Sequence, residues 1–216
     1  MKNIKYILLI IISITLASCK KSTLPAEDLG EDYFPLETGR WIEYQIDSIV
    51  YDDFFSPVKI DTFRLNAKFE LGESYKNAEG KLNYRWIKYT KNDTTNYEVS
   101  DVFAVNTSTF GYKFLINNNW YLKFAFPLKL GKQWDVNSYN TRDEMLATYV
   151  NMQTFDTCVS IIFEDFESLI SNDYHFEVYS KHIGMIYKNI KHIKTEISGE
   201  ITSGYTLEYK ILDYGN

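Results

Sequence analysis

Cysteine is almost absent from this 216-residue chain, which has only Cys19 and Cys158. With Cys19 committed elsewhere, as argued below, no internal disulfide is possible. Cys158 sits in the β-like run Thr157-Cys158-Val159-Ser160-Ile161-Ile162 and is expected to be a buried, inert thiol. Histidine is nearly as scarce: His175, His182 and His192 are the three, with no H-E-x-x-H spacing and too few partners for a structural zinc site. His175 and His182 could converge in space, but surface or turn histidines are far more common. Also missing are a G-x-S-x-G elbow, a phosphate-cradling glycine loop and a dinucleotide fingerprint. No basic cluster occurs. With 23 Lys and Arg against 29 Asp and Glu, the formal charge is −6, which counts against binding a phosphate backbone. The apolar run from Tyr6 to Ala17 has 12 residues, short of the roughly 20 that a membrane-spanning helix needs. What is abundant is aromatic and apolar: 17 % and 45 % of residues, enough to exclude wholesale disorder.

Residues 1–19, MKNIKYILLIIISITLASC, combine a charged start at Lys2 and Lys5 with that apolar run, the layout of a secretory signal peptide. Leu16-Ala17-Ser18-Cys19 resembles the bacterial lipobox. The resemblance implies cleavage before Cys19, a diacylglycerol on its sulfur and acylation of its amine, with palmitate as the typical chain. Two or three acyl chains anchor far better than one, at about 0.8 kcal/mol per buried CH₂. Residues 1–18 are therefore expected to be removed, leaving 198 residues with 21 basic and 29 acidic side chains, a net charge of −8. Residues 19–32 lack periodicity and read as lipidated cysteine and tether, and 33–216 as a single domain large enough to bury its own core. By the same resemblance, Lys20 after the cysteine permits sorting to the outer membrane of a Gram-negative cell. Lys20-Lys21-Ser22-Thr23 lacks the acidic surface-export signal of Bacteroidota lipoproteins, so a periplasm-facing position is favoured over surface display.

Period-two alternation dominates the mature chain. In Phe63 to Leu71, Phe63, Leu65, Ala67, Phe69 and Leu71 alternate without exception with Arg64, Asn66, Lys68 and Glu70. A helix would scatter those apolar residues around its axis, so the run predicts a half-buried strand. Ile42 to Val50 behaves similarly, and further strands are predicted at 83–90, 96–105, 109–116, 119–126, 157–163, 174–181, 184–196 and 204–212. Short Asn- and Gly-rich turns separate them, which joins antiparallel neighbours into a meander. Phe163, Phe166, Leu169 and Ile170 fit a short helical stripe, as do Met145, Leu146, Tyr149 and Val150. The fold class predicted is all-β: a curved antiparallel meander forming a half-barrel or barrel, alternatively a sandwich, with zero to two short helices. Strands apolar on both faces, such as the one holding Tyr84, Trp86, Ile87 and Tyr89, require that second cover.

A short motif occurs twice. Phe34-Pro35-Leu36-Glu37-Thr38-Gly39-Arg40-Trp41 returns as Phe126-Pro127-Leu128-Lys129-Leu130-Gly131-Lys132-Gln133-Trp134, and one turn type used twice is favoured over a duplicated half. Tyr33-Phe34-Pro35-Leu36 through Trp41-Ile42-Glu43-Tyr44 resembles the opening of small uncharacterised Bacteroidota lipoproteins. Glu177-Val178-Tyr179-Ser180-Lys181-His182-Ile183-Gly184-Met185-Ile186-Tyr187-Lys188 resembles their later E-x-Y-A-K-G-I-G-L-I-Y-K segment, with Ser180 and His182 in place of alanine and glycine. The resemblance implies a lipobox lipoprotein of unassigned role and brings no catalytic residues.

Chemistry-bearing candidates are few. Asp52-Asp53, Asp143-Glu144 and Glu164-Asp165 are acidic pairs, but adjacent acids on a strand point to opposite faces, and solvated turn charges are the preferred reading. Asp47-Ser48-Ile49 and Asp93-Thr94-Thr95 resemble a short O-glycosylation motif of Bacteroidota envelope proteins. Trp41, Trp86, Trp120, Trp134 and the tyrosines could stack on sugars, though cross-strand packing explains them better. No catalytic, cofactor-binding or metal-ligating residue is assigned, and lipid attachment at Cys19 is the one site. The expected function is a membrane-anchored, non-enzymatic envelope module that binds a partner or has a structural role. A carrier or sensor of a lipid or other apolar ligand inside the curved sheet comes next, a glycan-binding module third, and a hydrolase, which clustered carboxylates or histidine in a cleft would raise, fourth.

Overall fold

A computed structural model of the chain describes residues 28–91, 96–150 and 158–216. The signal segment, Cys19 and the Asp93-Thr94-Thr95 motif lie outside the described residues. Twelve strands follow in order: β1 (Trp41–Asp52), β2 (Lys59–Lys76), β3 (Leu82–Lys91), β4 (Tyr97–Ser108), β5 (Gly111–Ile116) and β6 (Asn119–Ala125) form the first run. β7 (Gln133–Asp135), β8 (Leu146–Val150), β9 (Cys158–Glu167), β10 (Ser171–Ser180), β11 (Gly184–Thr195) and β12 (Ile201–Gly215) form the second.

All twelve belong to one antiparallel sheet in which consecutive strands pair, except β6 with β7, and β12 returns to pair with β1. The meander is thus nearly closed into a barrel, in agreement with the all-β fold predicted. Its seam between β6 and β7 is bridged by single bonds. Leu122 N–H donates to the Val136 carbonyl at 2.8 Å, Trp134 Nε1 to the Leu122 carbonyl at 2.9 Å, and Asn140 Nδ2 to the Trp120 carbonyl at 2.9 Å.

Every predicted strand is present, and β7 and β8 are additional. Neither helical stripe forms a helix. Leu146, Tyr149 and Val150 lie in β8, Phe163 and Phe166 in β9, and Leu169 and Ile170 in the turn after it. One or two helical turns are unstable without packing, and both runs find ladder partners instead, β8 on β9 and β9 on β10. Among the described residues only a 3₁₀ turn at Glu31–Tyr33 is helical.

Eight strands make a barrel that its own side chains fill, so twelve leave spare room. At the lower end the N-terminal segment takes up that room. Phe34 stands among core aromatics, its ring 5.3 Å from Trp86 and 5.1 Å from Phe114, both edge-on. Leu29, Tyr33 and Leu36 pack against the same core, and Leu128 N–H donates to the Leu29 carbonyl at 3.1 Å. Residues 29–32 therefore belong to the fold, and the tether expected over 19–32 is correspondingly shorter. His182, in the β10–β11 turn, fastens this plug: its N–H donates to the Asp32 carbonyl at 2.7 Å, and its own carbonyl accepts from Arg40 Nη1 at 2.7 Å. The two bonds hold His182 at φ 62°, a left-handed conformation for which glycine is the usual residue.

The repeated motif makes the same four-residue turn twice, although its Phe-Pro bond is cis at Phe126-Pro127 and not at Phe34-Pro35. Arg40 N–H donates to Glu37 and Lys132 N–H to Lys129, with Gly39 and Gly131 both at positive φ. The turns precede β1 and β7, the first strands of the two six-strand runs.

The β1–β2, β9–β10 and β11–β12 turns lie at the opposite, upper end. Ile42, Tyr44 and Ile46 face inward with Ala67, Phe69 and Leu71, and all six are buried. Farther up the same face, Leu65 is 37 % exposed, Phe63 55 % and Tyr205 of β12 40 %. The lumen is filled below and opens to solvent above.

Candidate ligand cavity

Between the plug and the open end, the lumen holds a charged cluster built by register and by two bulges. The β10–β11 hairpin places Glu177 directly opposite Lys188. In β6, Phe124 pairs with Tyr112 and Leu122 with Lys113, leaving Lys123 as the extra residue of a bulge. In β9, Glu164 pairs with His175 and Ile162 with Phe176, so Phe163 is likewise extra. A bulge re-aims a side chain that strict alternation would send outward. Here the two bulged residues meet, with the Lys123 ammonium 3.9 Å from the centre of the Phe163 ring, and that ring lies beside His175 at 4.8 Å.

Glu177 is the centre of the cluster and is 1 % exposed. Lys123 Nζ donates to both of its carboxylate oxygens at 2.8 Å, and Lys188 Nζ lies 3.2 Å from Oε1. The Tyr179 hydroxyl donates to Oε2, and His175 Nε2 is 3.0 Å from Oε1. An ionised carboxylate can only accept, so Nε2 carries the histidine hydrogen. Burial alone would raise the Glu177 carboxyl, but the Lys123 and Lys188 ammonium groups outweigh it and hold the group well below its ordinary range. Burial lowers His175 to about 4, against the pull of Glu177, so the ring is neutral at pH 7. Burial also lowers Lys123 to about 8, resisted by Glu177, which leaves it mostly charged at neutral pH. Tyr179 and Tyr44 are pushed far up, by burial first and the Glu177 charge second. Four donors saturate the carboxylate, and a saturated, strongly acidic carboxylate is a poor general base.

A cavity of about 230 Å³ adjoins this cluster. Phe34, Phe69, Trp86, Phe103 and Tyr209 contribute its apolar wall, and Lys88, Lys123, Lys188 and Glu177 its polar one. Trp86 stacks on Phe69 at 5.8 Å, and the Tyr44 hydroxyl donates to the Met185 carbonyl at 2.6 Å, fixing two wall residues. Above it the Lys88 ammonium pairs with Asp101 at 3.2 Å.

The residues singled out by sequence are dispersed. His175 belongs to the cluster, His182 to the lower turn, and His192 to β11, where it pairs with Asp173 at 3.0 Å and Glu164 at 3.7 Å. Among the described residues, no group of His, Cys, Asp and Glu could hold a metal ion. Cys158 is half-buried rather than buried, because it is the first residue of β9, at the barrel's lower end. Glu164 is not a solvated turn charge, since it lies within β9 and pairs with His192, whereas Asp143 and Glu144 are exposed. Asp47-Ser48-Ile49 is in the middle of β1, with Asp47 held by Arg64 at 2.5 Å. An S-x-x-K spacing runs from Ser56 in the exposed β1–β2 turn to Lys59, the first residue of β2, away from the cavity. None of the four tryptophans is exposed, which fits packing rather than a sugar platform.

The sequence reading missed the cluster itself. Its signal was present: Glu177 interrupts an apolar strand run, and Lys188 lies at its hairpin partner position. Both belong to the segment that carries the family resemblance. Comparisons with models of known protein families, with curated proteins and with solved structures find no match for this chain.

Proposed function

We propose that this protein is a non-enzymatic binding module of the bacterial cell envelope, anchored through acyl chains on Cys19, whose barrel interior holds a small apolar or amphipathic ligand. The observation that carries this reading is the cavity beside the Glu177 cluster, walled by aromatics and closed below by Phe34. Its 230 Å³ is somewhat less than the about 300–1,000 Å³ of a typical small-molecule site. A fully enclosed ligand is therefore small, and a longer one extends toward the open upper end. The saturated Glu177 carboxylate favours binding over catalysis. The resemblance to Bacteroidota lipoproteins and the lipobox support the envelope setting, the outer membrane and a periplasmic orientation.

Native mass spectrometry of the protein, purified gently from the envelope, tests this. An adduct of a few hundred daltons that disappears on denaturation is the expected result. A clean apoprotein mass that persists after incubation with envelope lipid extract counts against it.

A second reading, docking of an envelope protein, is favoured by the apolar tips at the upper end. Phe54 is 87 % exposed, and Leu169, Ile170 and Ile197 are exposed with it.

A further inference from the structure

The charges around the cavity do not balance, and the imbalance names a ligand class. Lys123 and Lys188 share one carboxylate, that of Glu177, while Lys88 has its own partner in Asp101. No other acidic side chain lines the cavity. One positive charge is thus left over in the cavity lining, where Lys188 is only 20 % exposed and an unpaired charge is costly. The next carboxylates on the inward face, Asp173 and Glu164, stand higher up and flank His192. The surplus falls on Lys188. Its ammonium has three hydrogens, makes one longer contact with Glu177 at 3.2 Å, stands 5.5 Å from the centre of the Tyr209 ring, and forms part of the cavity wall. Lys123 is more fully engaged, bound to both carboxylate oxygens and seated over the Phe163 ring. Opposite Lys123 and Lys188 the wall is aromatic apart from the Lys88–Asp101 pair, with Phe69, Trp86 and Phe103 leading up to the exposed Leu65 and Phe63.

We infer that the cavity takes an amphiphile with a monoanionic head, such as a carboxylate, which bonds to Lys188 while its apolar chain runs along the aromatic wall toward the upper end. This deepens the proposed ligand-binding role and rests on it. The plug of residues 29–36 closes the lower end, so the ligand enters from the upper end. A cationic amphiphile would meet the ammonium groups of Lys88, Lys123 and Lys188, and a neutral one would leave the surplus charge unmatched.

The test compares decanoate, decanol and decyltrimethylammonium, three probes with one chain length and three charges. The protein is the mature chain carrying Cys19→Ser, which removes the acyl attachment atom, and its Lys188→Met variant. Binding is read by calorimetry and by fluorescence of Trp86 in the cavity wall. Decanoate is expected to bind the parent protein about tenfold or more tighter than decanol, the gain of a charge-assisted bond. In Lys188→Met that preference falls to about threefold or less, with decanol affinity unchanged.

Equal binding of decanoate and decanol by the parent protein overturns the charge inference and leaves the cavity reading standing. Tightest binding of decyltrimethylammonium overturns its sign. No binding of any probe, with tryptophan emission unmoved, overturns the underlying reading as well. The comparison of probes on the parent protein decides the matter even where Lys188→Met does not fold.

Discussion

The two ends of the barrel obey the same alternation and reach opposite results. Below Glu177 the inward residues include Phe124, Val159 and Tyr179, none more than 2 % exposed, and the N-terminal segment inserts Phe34 among its aromatics. Above Glu177 the inward face of β2 continues with Leu65 and Phe63, yet water reaches both. A pattern that builds a core at one end lines an open mouth at the other. The difference teaches that patterning sets which face of a strand turns inward, whereas the number of strands and the presence of a plug decide whether that interior is filled. Between the two regimes lies the cavity, with its charges at the boundary.

This contrast can be broken at its boundary, at its floor and at its mouth. The largest effect is expected at the boundary. Glu177→Gln keeps the shape but leaves Lys123 buried without a counter-charge, and stability should fall by about 3–5 kcal/mol in urea unfolding. At the floor, Phe34→Ala removes a ring that closes the lower lumen and should cost about 3 kcal/mol, read in the same way. The acid side of the stability curve follows from His175. Its pKa is about 4 in the folded protein against about 6.5 unfolded, so the unfolded state binds more protons between those values. The stability this residue contributes is complete above about pH 6.5 and is lost as pH falls to about 4, on the order of 3 kcal/mol in all. Glu177, depressed further, extends the loss to lower pH. His175→Gln should flatten the curve between pH 4 and 6.5. At the mouth, Phe63→Ser should change stability by no more than about 0.5 kcal/mol, although Phe63 is as apolar as Phe34 and faces the same lumen.

Much of this architecture was legible in the sequence, and for a plain physical reason. Ten strands were legible, some by strict alternation on one wet face and others, such as β3, as runs apolar on both faces, and the short polar turns dictated a meander. β7 and β8 were illegible because three and five residues hold too few alternations to stand out. The stripe through Phe163 misled because Phe163 is a bulge residue, and a bulge breaks period two in just the way that imitates a helical step. The same device hid Lys123. Lys113 and Lys123 read alike in sequence, but the bulge turns Lys123 inward to Glu177, across strands that are not neighbours in the sheet. The plug was illegible too: Phe34 read as part of a turn motif, and only the width of a twelve-stranded barrel gives that side chain a place inside.

The most direct test of the account is a ¹⁵N–¹H correlation titration of the mature Cys19→Ser protein with decanoate. Saturable shifts at the amides of Phe103, Met185, Lys188 and Tyr209 and at the Trp86 indole, with the exposed Phe54, Leu169 and Ile197 tips unmoved, are the predicted result. Shifts confined to those tips, or no shifts at all, would contradict a binding cavity in the middle of the barrel.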